Sequence, residues 1–376
     1  MTAIHGHCDP AFEPVREVFA GTFAAQEPYR NVGASLCVYV KGRCLVDLHG
    51  GEAAQGQAWT ADTLVNIWSA TKGVVAAAVA VLADRGLLSY DQPVARYWPA
   101  FAQAGKGEIT VAQLMSHQAG LNGYVAPTTL EDLCDWETAT ARLAAQMPFW
   151  TPGTATSYHA VTYGFLAGEL VRRVTGTSVG RFLAEGISAP LEADIFIGVP
   201  AALRGRIAPI RGPKAPRALA EGMNPIAQRA VTNPTLSAEL PNDGAWIAAE
   251  LPAVNSHATA RGLARLYAAL ANSAPLGCIA LMSPASVERL RQPLSTRPDL
   301  ILGARTWAAG VVLNTEGNYG PNPRAFGHSG WGGSFGCADP EHGVGIGYVH
   351  NQMGPDVVGD PRGIAICRAL YQCLGA

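Results

Sequence analysis

Between residues 9 and 26 the apolar positions Phe12, Val15, Val18, Phe19 and Phe23 recur every three or four residues. One face of a helix is therefore hydrophobic, with Asp9–Pro10 as its start signal. The period changes at Gly33. Two β-type runs, Ser35 to Val40 and Cys44 to Leu48, flank Lys41-Gly42 and predict a hairpin with glycine in the turn. From Ala70 to Leu87 nearly every position is apolar, the pattern of a helix buried on all sides and so central to the fold. Segments starting at Val111, Glu131 and Tyr163 predict further helices, divided by glycine and proline.

Periodicity then fades. From Val199 to Pro252 prolines fall at short intervals, a texture typical of active-site loops or domain connections. Asn255-Ser256 predicts the cap of a helix reaching Leu270, with Leu263, Leu266, Tyr267 and Leu270 on one face. Strands return over 307–313, 325–338 and 344–350, and a last helix spans 362–374. Helix and strands at both ends, with a mostly helical body between, predict an α+β protein. The first residues, with the His5-Gly6-His7 segment, predict a mobile terminus.

Composition narrows the function. A chain of 376 residues has room for two domains with proper cores. With 27 Lys+Arg against 29 Asp+Glu, a net charge of -2 and no basic run, it offers no footprint for nucleic acid or an anionic membrane. The start lacks the cationic and apolar regions of a secretory signal, and the most apolar stretch, 73–82, is about half a membrane span. The 8 cysteines are scattered, never paired as C-x-x-C and never at zinc spacing. They predict reduced thiols in a cytoplasmic protein, with no metal and no cofactor.

The strongest chemical signal is Ser69-Ala70-Thr71-Lys72. This S-x-x-K spacing puts serine and lysine on one face of a helical turn. Serine is a weak nucleophile until a neighbouring base takes its proton. A helix N-terminus supplies N–H groups for an oxyanion and lowers the pKa of a nearby lysine. Of the four lysines, Lys41, Lys72, Lys106 and Lys214, only Lys72 heads an apolar helix, where a solvated role fits poorly. Tyr158-His159-Ala160 offers a second base: the Tyr158 phenolate, or the His159 imidazole, unless Tyr158 merely packs beneath a turn. In the box Gly327-His328-Ser329-Gly330-Trp331-Gly332-Gly333, glycines permit close approach to a ligand, and a strand edge can donate an N–H. Ser334 also matches G-x-S-x-G, but a turn and a strand follow it where a nucleophile elbow needs a helix and later acid and histidine partners. Gly343-x-Gly345-x-Gly347 has no helix directly after it and is not a dinucleotide fingerprint.

Ser69-x-x-Lys72, Tyr158 and His328-Ser329-Gly330, in this order, resemble the boxes of class C β-lactamases, DD-peptidases and family VIII carboxylesterases. The segments 87–94, 109–121 and 149–154 support the likeness, which covers nearly the whole chain. It implies a β-lactamase/transpeptidase-like fold: an antiparallel sheet flanked by helices from residues 1–85 and 255–376, with a mostly helical inserted domain over 86–254. It also implies Ser69 as the acylated nucleophile, Lys72 and Tyr158 sharing proton transfer, and the N–H groups of Ser69 and Trp331 as the oxyanion hole. His328, Ser329 and Gly330 would contact substrate. Two departures point away from penicillin chemistry: Ala160 stands where lactamases carry Asn, and His328 where they carry Lys. A mostly neutral His328 offers only a weak site for a β-lactam carboxylate. Trp331-Gly332-Gly333 resembles the esterase branch. The reading is a serine esterase for short-chain carboxylic esters. The alternatives are an amide-directed hydrolase of β-lactamase or D-aminopeptidase type, an acyltransferase, and a non-catalytic binding protein. Tyr124 and Trp150, among aromatics near the boxes, are expected to line an apolar pocket.

Overall fold

Eleven strands alternate with the helices of the computed structural model, which describes residues 2–214, 222–271 and 280–376. Cys278 and part of the proline-rich stretch lie outside these. The strands are β1 (Ile4–Cys8), β2 (Gly33–Val40), β3 (Arg43–Ala54), β4 (Gln57–Ala58), β5 (Val65–Asn66), β6 (Ile195–Phe196), β7 (His257–Ala258), β8 (Val312–Leu313), β9 (Phe326–Ser329), β10 (Phe335–Asp339) and β11 (Val344–His350). The helices are α1 (Glu13–Gly21), α2 (Thr71–Asp84), α3 (Val111–Met115), α4 (Leu130–Cys134), α5 (Trp136–Ala145), α6 (Thr162–Thr175), α7 (Val179–Leu183), α8 (Pro225–Thr232), α9 (Gly244–Ala248), α10 (Ala260–Ala271), α11 (Pro284–Leu290) and α12 (Pro361–Leu374).

The large sheet runs β1-β3-β2-β11-β10-β9-β8 with antiparallel pairing, and β4 adds to β3. Both chain ends build it, because β2 pairs with β11 along its whole length, from Ala34↔His350 to Val40↔Val344. One face is covered by α1 and α12, where Val15 and Phe19 meet Ile366 and Leu370 beneath Leu36, Val38, Val46 and Leu48. The other face carries α10, which lies close enough that only glycine fits beneath it. A Cβ at Gly345 would stand 2.2 Å from the Ala268 nitrogen, and one at Gly347 would stand 2.4 Å from the Ala260 oxygen. Gly345 and Gly347 of the Gly-x-Gly-x-Gly run thus serve helix packing, while Gly343 belongs to the turn before β11.

The helix α2 is buried from Thr71 to Leu82, as an all-apolar segment requires, and packs on α6 and α11. A small sheet, β5-β7-β6, sits at its head. Among the described residues no helix is long and apolar enough to cross a membrane.

Four sequence expectations need correction. The terminus around His5 is the edge strand β1, paired with β3 from Ile4↔Gly50 to Cys8↔Val46. Its backbone bonds hold it although its middle side chains are exposed, so no hydrophobic period announces it. Residues 9–26 form a 3-10 turn, Pro10–Phe12, and then only the nine residues of α1. The cap of α10 is Thr259, whose hydroxyl accepts from Gly262 N at 3.0 Å, while Asn255 spans a loop by donating to the Trp246 and Ala249 carbonyls. Residues 307–313 contribute only the short β8, and 325–338 are two strands, β9 and β10, parted by the turn that holds Trp331.

Candidate active site

Ser69 is presented by a strained connection. After β5, Trp68 takes φ +48°, a left-handed conformation costly for a bulky residue. Its surroundings compensate: Asn66 Oδ1 accepts the Trp68 N–H at 3.0 Å, and the indole is wedged between Trp246 (5.5 Å) and Trp331 (5.1 Å). A single 3-10 turn, Trp68–Ala70, follows and feeds directly into α2. Ser69 therefore stands at the head of a buried helix, and Lys72 lies one turn further on.

Lys72 is fully buried. Its Nζ lies 2.7 Å from the Ala160 carbonyl, 3.0 Å from the Ala253 carbonyl and 3.2 Å from Ser69 Oγ. Burial alone, with no carboxylate offsetting it, holds the amine well below the usual lysine range. An ammonium would donate to all three partners; in a neutral amine two N–H groups would serve the two carbonyls and the lone pair would face the Ser69 hydroxyl. Nζ also sits 4.6 Å above the Tyr158 ring.

Tyr158 is boxed in by rings: His117 (5.1 Å, edge-on), Trp307 (5.7 Å, stacked) and His328 (6.1 Å, stacked). Burial raises its phenol, against a weaker opposing pull from the Ser69 side chain, so the phenol is protonated at neutral pH. His159 is occupied elsewhere. Its Nδ1 donates to Ser157 O at 2.7 Å and its Nε2 accepts from Leu121 N at 3.3 Å, and burial pushes it down to about 4. Both ring nitrogens serve the backbone, which leaves none for a base.

The His328-Ser329-Gly330 box ends β9 against the Ser69 connection. A Cβ at Gly330 would lie 2.1 Å from the Ile67 carbonyl oxygen, so glycine is what lets the two segments touch. Trp331 follows and lines the same cavity as Ser69 and Tyr158. The turn is tied from behind by residues that carry no sequence signal. Arg362 Nη2 donates to Gly332 O at 2.7 Å while paired with Asp360, and Gly332 N donates to Asp356 O at 3.0 Å. His328 Nδ1 donates to Ser329 O at 2.8 Å, and burial, reinforced by Lys72, pushes the ring down to about 3.

The cavity measures about 350 Å³ and is walled mainly by apolar side chains, including Met223, Val231, Leu236, Val254, Ile301 and Leu302. Arg305 and Asp356 also line it. Tyr124 is fully buried in the core and is not among the lining residues; Trp150 is not among them either, its indole donating to Ala155 O at 3.1 Å. Ser329 lines an adjoining crevice with Arg305 and His328, and its hydroxyl lies 2.9 Å from Tyr319 Oη. Ser334 sits buried in the β9–β10 turn, away from the cavity lining.

Asp299 is a residue that sequence reading missed. Its buried carboxylate accepts from Tyr158 N (3.2 Å), Ile301 N (2.9 Å) and Leu302 N (3.1 Å) through Oδ1, and from Trp307 Nε1 (3.1 Å) through Oδ2. One side chain thus fixes the tyrosine, a cavity wall and the indole stacked on that tyrosine. Burial raises this carboxyl while the four donors oppose the rise. Asp299→Ala strands two buried N–H groups, those of Tyr158 and the Trp307 indole, and frees two partly buried ones, and should cost about 3 kcal/mol in urea unfolding. It should also lower kcat more than it raises KM in the folded enzyme, with Asp299→Asn intermediate. A variant with reduced stability but unchanged kcat would limit Asp299 to stability alone.

Residues 19–368 match the Beta-lactamase family model. The chain is 38% identical over 379 residues to "Esterase/beta-lactamase LipL" of Mycobacterium tuberculosis, covering 96% of this chain and 86% of that one. It is similar to a crystal structure of a family VIII carboxylesterase, with TM-score 0.93, 44% identity and coverage of 99% of this chain and 100% of the other. A penicillin-binding protein homolog from Caulobacter crescentus matches with TM-score 0.90 and 40% identity, over 99% and 100% of the two chains. The chain belongs to the beta-lactamase family.

Proposed function

We infer that Ser69 is the nucleophile of a serine ester hydrolase and that Lys72, as a free amine, is its general base. The observation that carries this reading is the buried Nζ at 3.2 Å from Ser69 Oγ, with two carbonyls taking its hydrogens. In the acylation step the Ser69 proton passes to Lys72 as Oγ bonds to the ester carbonyl carbon. The carbonyl oxygen becomes an oxyanion facing the N–H groups of Ser69 and Trp331. Collapse breaks the bond to the alcohol oxygen, which takes a proton from the Tyr158 phenol, and the neighbouring Lys72 ammonium passes its proton to the phenolate, so that both groups regain their starting states. Water repeats the sequence on the acyl-enzyme and releases the acid. The apolar cavity suits small acyl and alcohol groups and supports the preference for short-chain esters.

One observation favours a second substrate class. Arg305 lines the cavity, and its nearest carboxylate, on Glu316, is 3.8 Å away and partly exposed, so the guanidinium is loosely compensated. A substrate carboxylate, on a hemiester or a β-lactam, would find its cation there. The seven free cysteines among the described residues support a reducing, cytoplasmic setting.

Ser69→Ala should abolish hydrolysis of p-nitrophenyl butyrate, and a fluorophosphonate adduct should map to Ser69. Lys72→Met and Tyr158→Phe should each lower kcat by about 10²–10⁴, the usual weight of acid–base catalysis. Label on Ser334 instead would contradict the assignment. For Arg305→Met, kcat/KM on nitrocefin and on a p-nitrophenyl hemiester should fall about ten- to a hundredfold, with a far smaller loss on the neutral butyrate. Equal losses on charged and neutral substrates would remove the carboxylate role.

A further inference from the structure

Away from the cavity, the β2–β3 hairpin gathers two thiols and a carboxylate on one face. Cys37 and Asp47 are directly opposed in the register, and Val38 opposes Val46. The register then shifts, so that Tyr39 opposes Cys44 and Leu45 is the extra residue. Opposed residues share a face, as do residues two apart on a strand. In an unbroken ladder Leu45 would oppose Tyr39, and Cys44 would point with Val46 and Leu48 into the layer under α1. The bulge reverses this. Leu45 packs in that layer, and Cys44 joins Cys37, Tyr39 and Asp47 beneath α10.

The result has the form of a ligand set. Cys37 Sγ and Cys44 Sγ are 3.9 Å apart, and a carboxylate oxygen of Asp47 lies within 4.8 Å of both. A tetrahedral ion bound about 2.3 Å from each sulfur holds the two sulfurs about 3.8 Å apart. The carboxylate is already oriented from α10: Arg261 Nε and Nη2 reach Asp47 Oδ2 at 2.7 and 2.6 Å, which directs Oδ1 elsewhere. Arg265 Nε donates to Tyr39 Oη at 3.1 Å on the other side of the cluster. Two thiolates, a carboxylate and a divalent ion sum to one negative charge, which Arg261 balances.

We propose that Cys37, Cys44 and Asp47 form a site for a thiophilic divalent cation of the Zn²⁺ class, with water in the fourth position. Binding bonds the ion to both sulfurs and releases their two protons to solvent. Cys37 is buried, while Cys44 and Asp47 are partly exposed and give the ion its way in. An ion there ties β2 to β3 and, through Asp47 and Arg261, ties the hairpin to α10. The spacing C-x6-C is no zinc motif in sequence; only the bulge closes it.

The test uses the full-length protein, reduced and stripped with a chelator. Zn²⁺ is titrated against a chromophoric chelator, and Cd²⁺ is followed by thiolate charge-transfer absorbance. Wild type should bind one equivalent more than Cys44→Ser or Cys37→Ser, and Zn²⁺ should raise its Tm but not theirs. Cys134→Ser, which removes an exposed thiol elsewhere, should keep that equivalent. Zn²⁺ should also protect Cys37 and Cys44 from alkylation in wild type. Equal stoichiometry in wild type and Cys44→Ser overturns the site. So does zinc uptake that leaves both thiols open to alkylation, and so does a Cys37–Cys44 disulfide that re-forms and excludes the metal.

Discussion

A primary amine shut away from water at the head of an apolar helix is the constraint on which this molecule turns. Lys72 meets two carbonyls and one hydroxyl, and burial is the single cause that shifts its titration. A second buried lysine shows what the hydroxyl contributes. Lys106 Nζ donates to three carbonyls, those of Gln103, Ala144 and Gln146, and burial lowers it to about 8. Three carbonyls can only accept, so full satisfaction there demands the ammonium. At Lys72 one carbonyl is replaced by a hydroxyl, which can donate. The same buried amine chemistry then accommodates the free base.

The fold serves that arrangement by confining each neighbour. Trp68 is held in a strained backbone so that Ser69 faces the cavity. Gly330 brings the end of β9 against the segment before Ser69, and Arg362 with Asp360 secures the turn behind Trp331. Asp299 does the equivalent for Tyr158. These supports are buried and hydrogen-bonded to backbone, so Ser69, Tyr158 and Trp331 stand on rigid elements drawn from both ends and the middle of the chain. Pre-arranged donors of this sort are what electrostatic stabilisation of an oxyanion requires.

Legibility in the sequence followed the same physics. The central helix, the hairpin and the S-x-x-K pair could be read because burial leaves a periodic or all-apolar signature and because few lysines sit in such a run. Strand β1 left none, since an exposed edge strand is held by backbone bonds rather than by a hydrophobic face. Asp299 and Arg362 were invisible because their partners are main-chain groups far away in sequence. Aromatic character did not separate Tyr124, a core residue, from Trp331, a cavity wall, for both bury apolar surface. Arg305 was not singled out for a related reason: it comes from an irregular segment before β8, with no motif around it.

The protonation state of Lys72 decides between this account and its rivals, and it can be observed without substrate. The four lysines are few enough to follow individually by the ε-carbon NMR shift of ¹³C-labelled enzyme across pH, with the Lys72 resonance assigned by its loss in Lys72→Met. The account predicts that Lys72 titrates well below the ordinary lysine range and is a free amine at the pH where the enzyme works. A Lys72 resonance that titrates in the ordinary lysine range, near 10.4, would show an ammonium at the site and contradict it.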